Sequence, residues 1–406
     1  MVRAGYKQTA VGVIPKEWKV SQLCDLAEIR SGVAKNSNVS VNNPILVYYL
    51  RVANVQDGFL ELSEMSKIKI SRNDLKRYTV LPGDVLMNEG GDLDKLGRGS
   101  IWHGQFNPCI HQNHVFVIRC GSQLLPQYLN IWSSTITANR YFMVAGKQTT
   151  NLASINKTSL GKLPVATPSL TEQQAIAEAL SDMDGLLDGL TKLIAKKRHI
   201  KTATMQQLLT GKTRLPGFGE GKGYKQTELG DIPEDWEVVE LGELLTIKHG
   251  RDQKEIVVVD GCYPILATGG EIGRTNTPLY SKPSVLIGRK GTIDKPLYMD
   301  KPFWTVDTLF YSEVNKTSSP KFLYYKFNLI DWYSYNEASG VPSLNAKSIE
   351  KIAIAQPVSL AEQQSIVKVL SDMDKELESL ETRLHKTKAI KQGMMQELLT
   401  GKTRLI

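Results

Sequence analysis

Two distant segments of this 406-residue chain carry the same phrase. GYKQTAVGVIPKEWKV at 5–20 and GYKQTELGDIPEDWEV at 223–238 are identical at 10 of 16 positions. A longer echo follows each. Residues 170–215 match 360–405 at 25 of 46 positions, and both copies end in LLTGKTRL. Between the echoes the halves diverge, over 147 residues at 21–167 and 119 residues at 239–357. A framework held constant around two different inserts constrains the fold strongly, because each copy must present the same local structure whatever its insert does. It suits a two-headed reader whose heads differ in specificity while sharing one mounting surface. A tandem copy of an enzyme domain leaves unexplained why the inserts drifted and the connecting segments did not.

Ile176, Leu180, Met183, Leu187, Leu190 and Ile194 are spaced 4, 3, 4, 3 and 4, and Ile366, Leu370, Met373, Leu377, Leu380 and Leu384 repeat those gaps. This is a heptad seam, suited to helices packed in a shallow left-handed supercoil. Neither segment contains proline, and each ends near a glycine, Gly211 or Gly401, where a C-cap is expected. A lone amphipathic helix is marginal, and the economical partner for each is the other copy. About 40 residues at 1.5 Å rise make a rod of roughly 60 Å. The seam turns polar at Lys197, Lys201, Thr387 and Lys391, all in one phase, and there the bundle is expected to open or to meet another protein.

The glycine-rich PGFGEGKG at 216–223 marks a boundary. The I-P-x-x-W phrases at Ile14 and Ile232 read as extended arms that pin Trp18 and Trp236 into a core. A weak likeness survives between the inserts. LPGDVLMNEGG from Leu81 parallels KPSVLIGRKGT from Lys282, and LPQYLNIWSS from Leu125 parallels SPKFLYYKFN from Ser319. Each insert is therefore expected to be one module: a strand, a glycine-bearing loop, more strands, and a helix that begins at a proline. The predicted class is α/β, with two mixed α/β domains joined by two long antiparallel coiled-coil-like helices in a pseudo-twofold internal repeat. The expected division is 1–168 and 223–358 for the heads, 169–215 and 359–406 for the helical spacers, and 216–222 for the linker.

The net charge of +8 and pI of about 9.0 permit a polyanionic partner without requiring one. No apolar run approaches the roughly 20 residues of a membrane span, and MVRAGYKQT lacks the apolar stretch of a signal peptide. Cytoplasmic residence is expected. Four scattered cysteines make no disulfide framework. Cys109, His111, His114 and Cys120 cluster, but not at paired-ligand spacing, and the matching TVDTLFYSEV holds neither Cys nor His, so no metal is expected. LTGKT at 209–213 and 399–403 lacks the earlier glycine and preceding strand of a phosphate loop. Its Lys and the following Arg suit the helix dipole or a partner contact. Gly97-Arg98-Gly99 lacks the third glycine of a dinucleotide loop. Asn107-Pro108-Cys109 lacks the aromatic that would stack a flipped base. No catalytic constellation and no cofactor are expected.

The remaining candidates are electropositive, glycine-bearing loops, from Asn88 to Arg98 and from Gly288 to Lys295, with Arg140 and the stretch Ala145 to Thr150 downstream. Glycine lets backbone approach a phosphate, Arg can read guanine through two parallel hydrogen bonds, and Lys more often supplies charge to the DNA backbone. The residues expected at DNA are Asn88, Lys95, Arg98, Arg140, Lys147, Arg289, Lys290 and Lys295. Those expected at a partner subunit are Lys197, Lys201, Thr387 and Lys391.

Taken together, the G-Y-K-x-T-x-x-G-x-I-P-x-x-W openings, the L-x-E-Q-Q-x-I helix starts at Leu170 and Leu360, the LLTGKTRL endings, and the insert signatures GDVLMNEGG and SVLIGRKGTI resemble the DNA-specificity subunit of Type I restriction–modification enzymes. The resemblance spans nearly the whole chain. It implies that each insert is a target-recognition domain reading one half of a split, asymmetric site on double-stranded DNA. It implies that the helices are the spacer and dock two copies of a modification (methyltransferase) subunit, which bind S-adenosylmethionine and methylate adenine at N6. It also implies that ATP-dependent restriction subunits can join that core, and that this chain itself is not catalytic. The alternative is a two-headed protein-binding scaffold without DNA sequence specificity. A stand-alone methyltransferase would need motifs that the chain lacks.

Overall fold

The computed structural model describes residues 2–34, 43–91, 96–97, 99–148 and 153–405, apart from the Gln148 side chain. Two compact units form, and they do not follow the chain end to end. One comprises Met1–Gly189 with Leu384–Ile406, and the other comprises Leu190–Arg383. The cause lies in two long helices, Leu170–Leu209 and Leu360–Leu398, each of which starts in one unit and finishes in the other. In the first unit Leu398 and Leu399 are buried with Ile14, Trp18, Ile176 and Leu180. In the second, Met205, Leu208 and Leu209 are buried with Ile232, Trp236, Ile366 and Leu370. The glycine-rich stretch 216–223 thus lies inside the second unit rather than between the units.

Each unit contains one head. The first head has a four-stranded antiparallel sheet in the order Ala27–Ser31, Val115–Cys120, Val85–Asn88, Gly99–Ile101. A second sheet sets Ile45–Leu50 between antiparallel Ser66–Ile70 and parallel Cys109–His111. The second head has Leu245–Lys248, Leu309–Val314, Ser284–Gly288 and Leu297–Met299 in the same order. Its second sheet sets Tyr263–Ala267 between antiparallel Gly270–Thr275 and parallel Trp304–Thr305. The strands at Val85 and Ser284 are buried along their whole length, so their apolar residues run consecutively, at 85–87 and 285–287, instead of alternating. Helices Pro126–Ser133 and Pro320–Phe327 each start on their proline, where the missing N–H costs nothing.

The repeated phrases meet at one junction in each unit. The GYKQT arm is a hairpin, Tyr6–Thr9 against Gly12–Pro15 in the first unit and Tyr224–Thr227 against Gly230–Pro233 in the second. Its proline packs on the glycine that ends a long helix. Gly401 has φ +67°, and a Cβ there would stand 2.5 Å from Pro15 Cδ; Gly211 has φ +73° and would meet Pro233 Cδ at 2.6 Å. Both are therefore C-caps that admit no side chain, on grounds of both conformation and space. The Tyr6 hydroxyl donates to the Gly401 carbonyl at 2.8 Å, and the Tyr224 hydroxyl donates to the Gly211 carbonyl at 3.1 Å.

Three residues beyond each glycine, an arginine closes the junction. Arg404 donates through Nε and Nη2 to Glu172, the latter at 2.8 Å, and through Nη1 to Glu17. Arg214 grips Glu362 through Nε and Nη2 at 2.5 and 2.8 Å, and Asp235 at 2.8 and 3.0 Å. These hydrogen bonds from Arg214 hold the Asp235 carboxyl well below its usual range. Trp18 and Trp236 lie beneath the guanidinium groups, each 1% exposed. The arginines of LLTGKTRL thus bind acids of their own chain. Gln173 and Gln363 complete the frame. Gln173 accepts from Leu125 N–H at 2.9 Å, and Gln363 accepts from Ser319 N–H at 2.9 Å.

The polar end of the seam does not open. Lys197 pairs with Glu376 at 2.7 Å and Lys201 pairs with Asp374 in the second unit; Lys391 pairs with Asp184 at 2.5 Å in the first. Thr387 is buried. Acids on the facing helix segment match these lysines, so the seam at Lys197, Lys201 and Lys391 is closed by ion pairs within each unit, with Thr387 packed inside it.

Where the first head has Trp132, the second has Lys326. The Lys326 side chain is buried and its Nζ donates to the Leu209 carbonyl at 2.8 Å, one of the last-turn acceptors that a helix leaves unsatisfied. Burial pulls its pKa from 10.5 to about 7. Below pH 7 it is charged both folded and unfolded, and the full cost of burying an ammonium is present. Between pH 7 and 10.5 the unfolded chain binds the extra proton, so stability should rise with pH across that window. Denaturant midpoints of the second unit's transition at pH 7, 8.5 and 10 should climb in the native chain. In Lys326→Met that climb should be flattened.

Replacing Arg404 by Ala should destabilise the first unit more than a surface change would. Glu172, whose side chain is 1% exposed, would keep only the Trp18 indole N–H, which now reaches it at 3.1 Å. Stranding a buried carboxylate costs about 3 kcal/mol, readable as a lower urea midpoint. Adding Glu172→Gln should recover part of the loss, because a neutral amide needs no cation.

Candidate nucleic-acid interface

In both heads the loop leaving the central buried strand is pinned by main chain on both sides. In the first head the Glu89 N–H donates to His114 O at 2.9 Å, and Glu89 O accepts from Ile155 N–H at 2.8 Å. In the second the Arg289 N–H donates to Thr308 O at 2.8 Å, and Arg289 O accepts from Leu344 N–H at 2.9 Å. Gly288 has to be glycine, since a Cβ there would sit 2.0 Å from Thr292 O. Gly291, at φ +89°, donates its N–H to Pro342 O at 2.9 Å. Main-chain pinning lets the side chains at these loops vary without disturbing the sheet beneath.

The expected DNA residues meet different fates. Arg289 is half-buried, and its Nη1 donates to Asp307 Oδ2 at 2.5 Å. Lys290 is exposed and shares a cleft of about 710 Å³ with His249, Arg289, Glu337 and Lys347. Lys295 is exposed beyond it. Lys147 is exposed on a short strand pairing with Ala153–Ser154, which pairs in turn with Gly90–Gly91, so it shares a patch with the first glycine loop. Arg140 is exposed on helix Ile136–Ala145. Lys95, Arg98, Thr149 and Thr150 lie outside the described residues.

Asn88 faces inward. Its side chain is buried and donates to Val55 O at 2.8 Å and Val52 O at 3.3 Å, tying the glycine loop to a neighbouring turn. The Cys/His cluster is dispersed in role. His111 Nδ1 contacts Val115 O at 2.6 Å, and burial lowers its pKa to about 4; burial raises the Cys109 and Cys120 thiols to about 12. His114 turns to Glu89. Among the described residues no group of three or more His, Cys, Asp or Glu could hold a metal ion. Among the described residues no helix is long and apolar enough to cross a membrane.

The sequence reading does not single out Asp307, and it takes Glu89 only as part of the glycine-bearing loop and His114 only as a member of the Cys/His cluster. Their signal lies in pairing across strands: Asp307 and His114 both precede the strand that neighbours the glycine-loop strand in its sheet. That proximity follows from sheet register, which the sequence alone does not display.

These features have counterparts in known proteins. Residues 15–200 and 233–389 each match the family model described as Type I restriction modification DNA specificity domain. The MjaX type I restriction enzyme specificity subunit of Methanocaldococcus jannaschii is 27% identical over 435 residues, covering 98% of this chain and 97% of that one. The EcoKI specificity subunit of Escherichia coli is 24% identical over 172 residues, covering 42% of this chain and 36% of that one. The fold is similar to the crystal structure of a Type I restriction–modification S subunit from M. genitalium, with TM-score 0.61, 15% identity and coverage of 94% and 96% of the two chains. With most of its length matched in two blocks, one per head, the chain belongs to the Type I restriction modification DNA specificity family.

Proposed function

We propose that this chain is the sequence-specific DNA-binding subunit of a Type I restriction–modification complex and has no catalytic role of its own. The observation that carries this is the double family match, one block on each head, over heads that share a strand order and differ in their loops. Each head reads one half of a bipartite, asymmetric site in double-stranded DNA. Arg289 supplies base contact, while Lys290, Lys295, Lys147 and Arg140 supply charge for the phosphates, together with Lys95 and Arg98 of the first loop. The two long antiparallel helices serve as the coiled-coil spacer of a pseudo-twofold repeat. Their repeated faces suit two copies of one modification subunit, which carries out N6-adenine methylation, and restriction subunits join the same core.

The test uses the chain copurified with its modification subunit. It is presented with a randomised duplex library across a salt series, which separates the counterion-release term from base recognition. A two-part asymmetric consensus is expected, with a native mass showing two modification subunits per chain. Exchanging insert 239–357 for that of a relative should change one half of the consensus and leave the other as it was. Equal retention of every duplex at all salts would favour the protein-binding scaffold instead.

A further inference from the structure

The two heads place opposite charges at one equivalent position. Glu89 and Arg289 each follow a buried central strand, Val85–Asn88 or Ser284–Gly288. The register fixes the correspondence: Asn88 pairs with Val115 in the first head, and Gly288 pairs with Leu309 in the second. Glu89 and Arg289 then make the same two backbone bonds, N–H to the residue just before that partner (His114 or Thr308) and C=O to the returning loop (Ile155 or Leu344). Each side chain is held by a partner from the same neighbouring turn. Glu89 Oε2 meets His114 Nδ1 at 2.6 Å, and Arg289 Nη1 meets Asp307 Oδ2 at 2.5 Å. Both Glu89 and Arg289 are 27% exposed, while their partners are more open, His114 at 56% and Asp307 at 68%.

We propose that this position is the specificity-determining site of each head, with Glu89 accepting a hydrogen bond from a cytosine amino group in one half-site and Arg289 donating to guanine in the other. The inference rests on the function proposed above. Three features support it. The backbone on both sides is already satisfied by main chain, so the side chain is free to differ between heads without altering the fold. That partner fixes one edge of the reader, and among the described hydrogen bonds Glu89 uses Oε2 and Arg289 uses Nη1, which leaves Oε1 and the Nε–Nη2 edge for a base. The geometry also suits the base edges: a carboxylate accepts from cytosine N4, and a guanidinium spans guanine O6 and N7. His114 and Asp307 act as positioning residues that aim the reader before the duplex arrives.

The experiment repeats the library selection on the intact complex with Glu89→Gln, Arg289→Gln and Asp307→Asn, one at a time. Glu89→Gln should weaken the cytosine preference at one position of one half-site by about 10- to 100-fold, with the other half unchanged. Arg289→Gln should move one guanine in the opposite half-site toward adenine, to which Gln pairs. Asp307→Asn should keep guanine as the preferred base and lower its margin by a smaller factor. The unaltered half-site reports folding in each variant. Unchanged base preferences in both halves for Glu89→Gln and Arg289→Gln would mean that these are surface ion pairs only, and would overturn the inference while leaving the proposed function standing. A wild-type complex that selects no sequence overturns the proposed function itself.

Discussion

The fold turns on a guanidinium that grips two carboxylates over a buried indole. Arg404 does this for Glu172 and Glu17 above Trp18, and Arg214 does it for Glu362 and Asp235 above Trp236. Each clasp collects three parts of the chain: the hairpin arm with its tryptophan turn, a helix start and the end of the other long helix. Glu172 and Glu362 are buried and charged, and burying a charge is tolerated only with a well-placed partner. The requirement runs in both directions. The acid holds the helix end in place, and the helix end supplies the cation without which the acid could not be buried. This explains why phrases so far apart in the chain have stayed alike between the halves. They are pieces of one interaction, and none can change alone.

A good part of this is readable from the residues. The I-P-x-x-W anchors, the helix starts at Pro126 and Pro320, and the C-cap glycines at 211 and 401 all sit in the conformations that their local patterns predict, because propensity and capping act within a few residues. What local pattern does not carry is which helix end meets which head. Periodicity at Ile176 or Ile366 says that a face is covered, not by what. The lysines at 197, 201 and 391 look like a break in the seam when only their own helix is considered. Their acids lie on the other helix, at 376, 374 and 184, and once those are in view the break disappears.

The candidate interface shows the same limit at finer scale. A search for cations near glycine finds Arg289 and passes over Glu89, although the two occupy one structural position. It also picks Asn88, whose polarity serves an inward bond to Val55. Polar residues beside a glycine loop divide into those that build it and those that face out, and register makes the division. Main-chain bonds carry the loop, so a head can exchange one rim side chain for its electrostatic opposite on an unchanged scaffold. That is a physical basis for heads that diverge while their frame does not.

The hairpin arms have a topological consequence. One junction is crossed by peptide bonds, since Gly211 and Tyr224 belong to one continuous stretch of backbone. At the other, Tyr6 reaches Gly401 by a hydrogen bond with no such link. The noncovalent contacts are nevertheless the same in kind. The hairpin thus meets the helix end through the same hydrogen bond whether or not the backbone runs on between them. A cyclic permutant opened within 216–222, with a short linker joining its old ends, would keep every clasp contact described, and its heads would simply be translated in the reverse order.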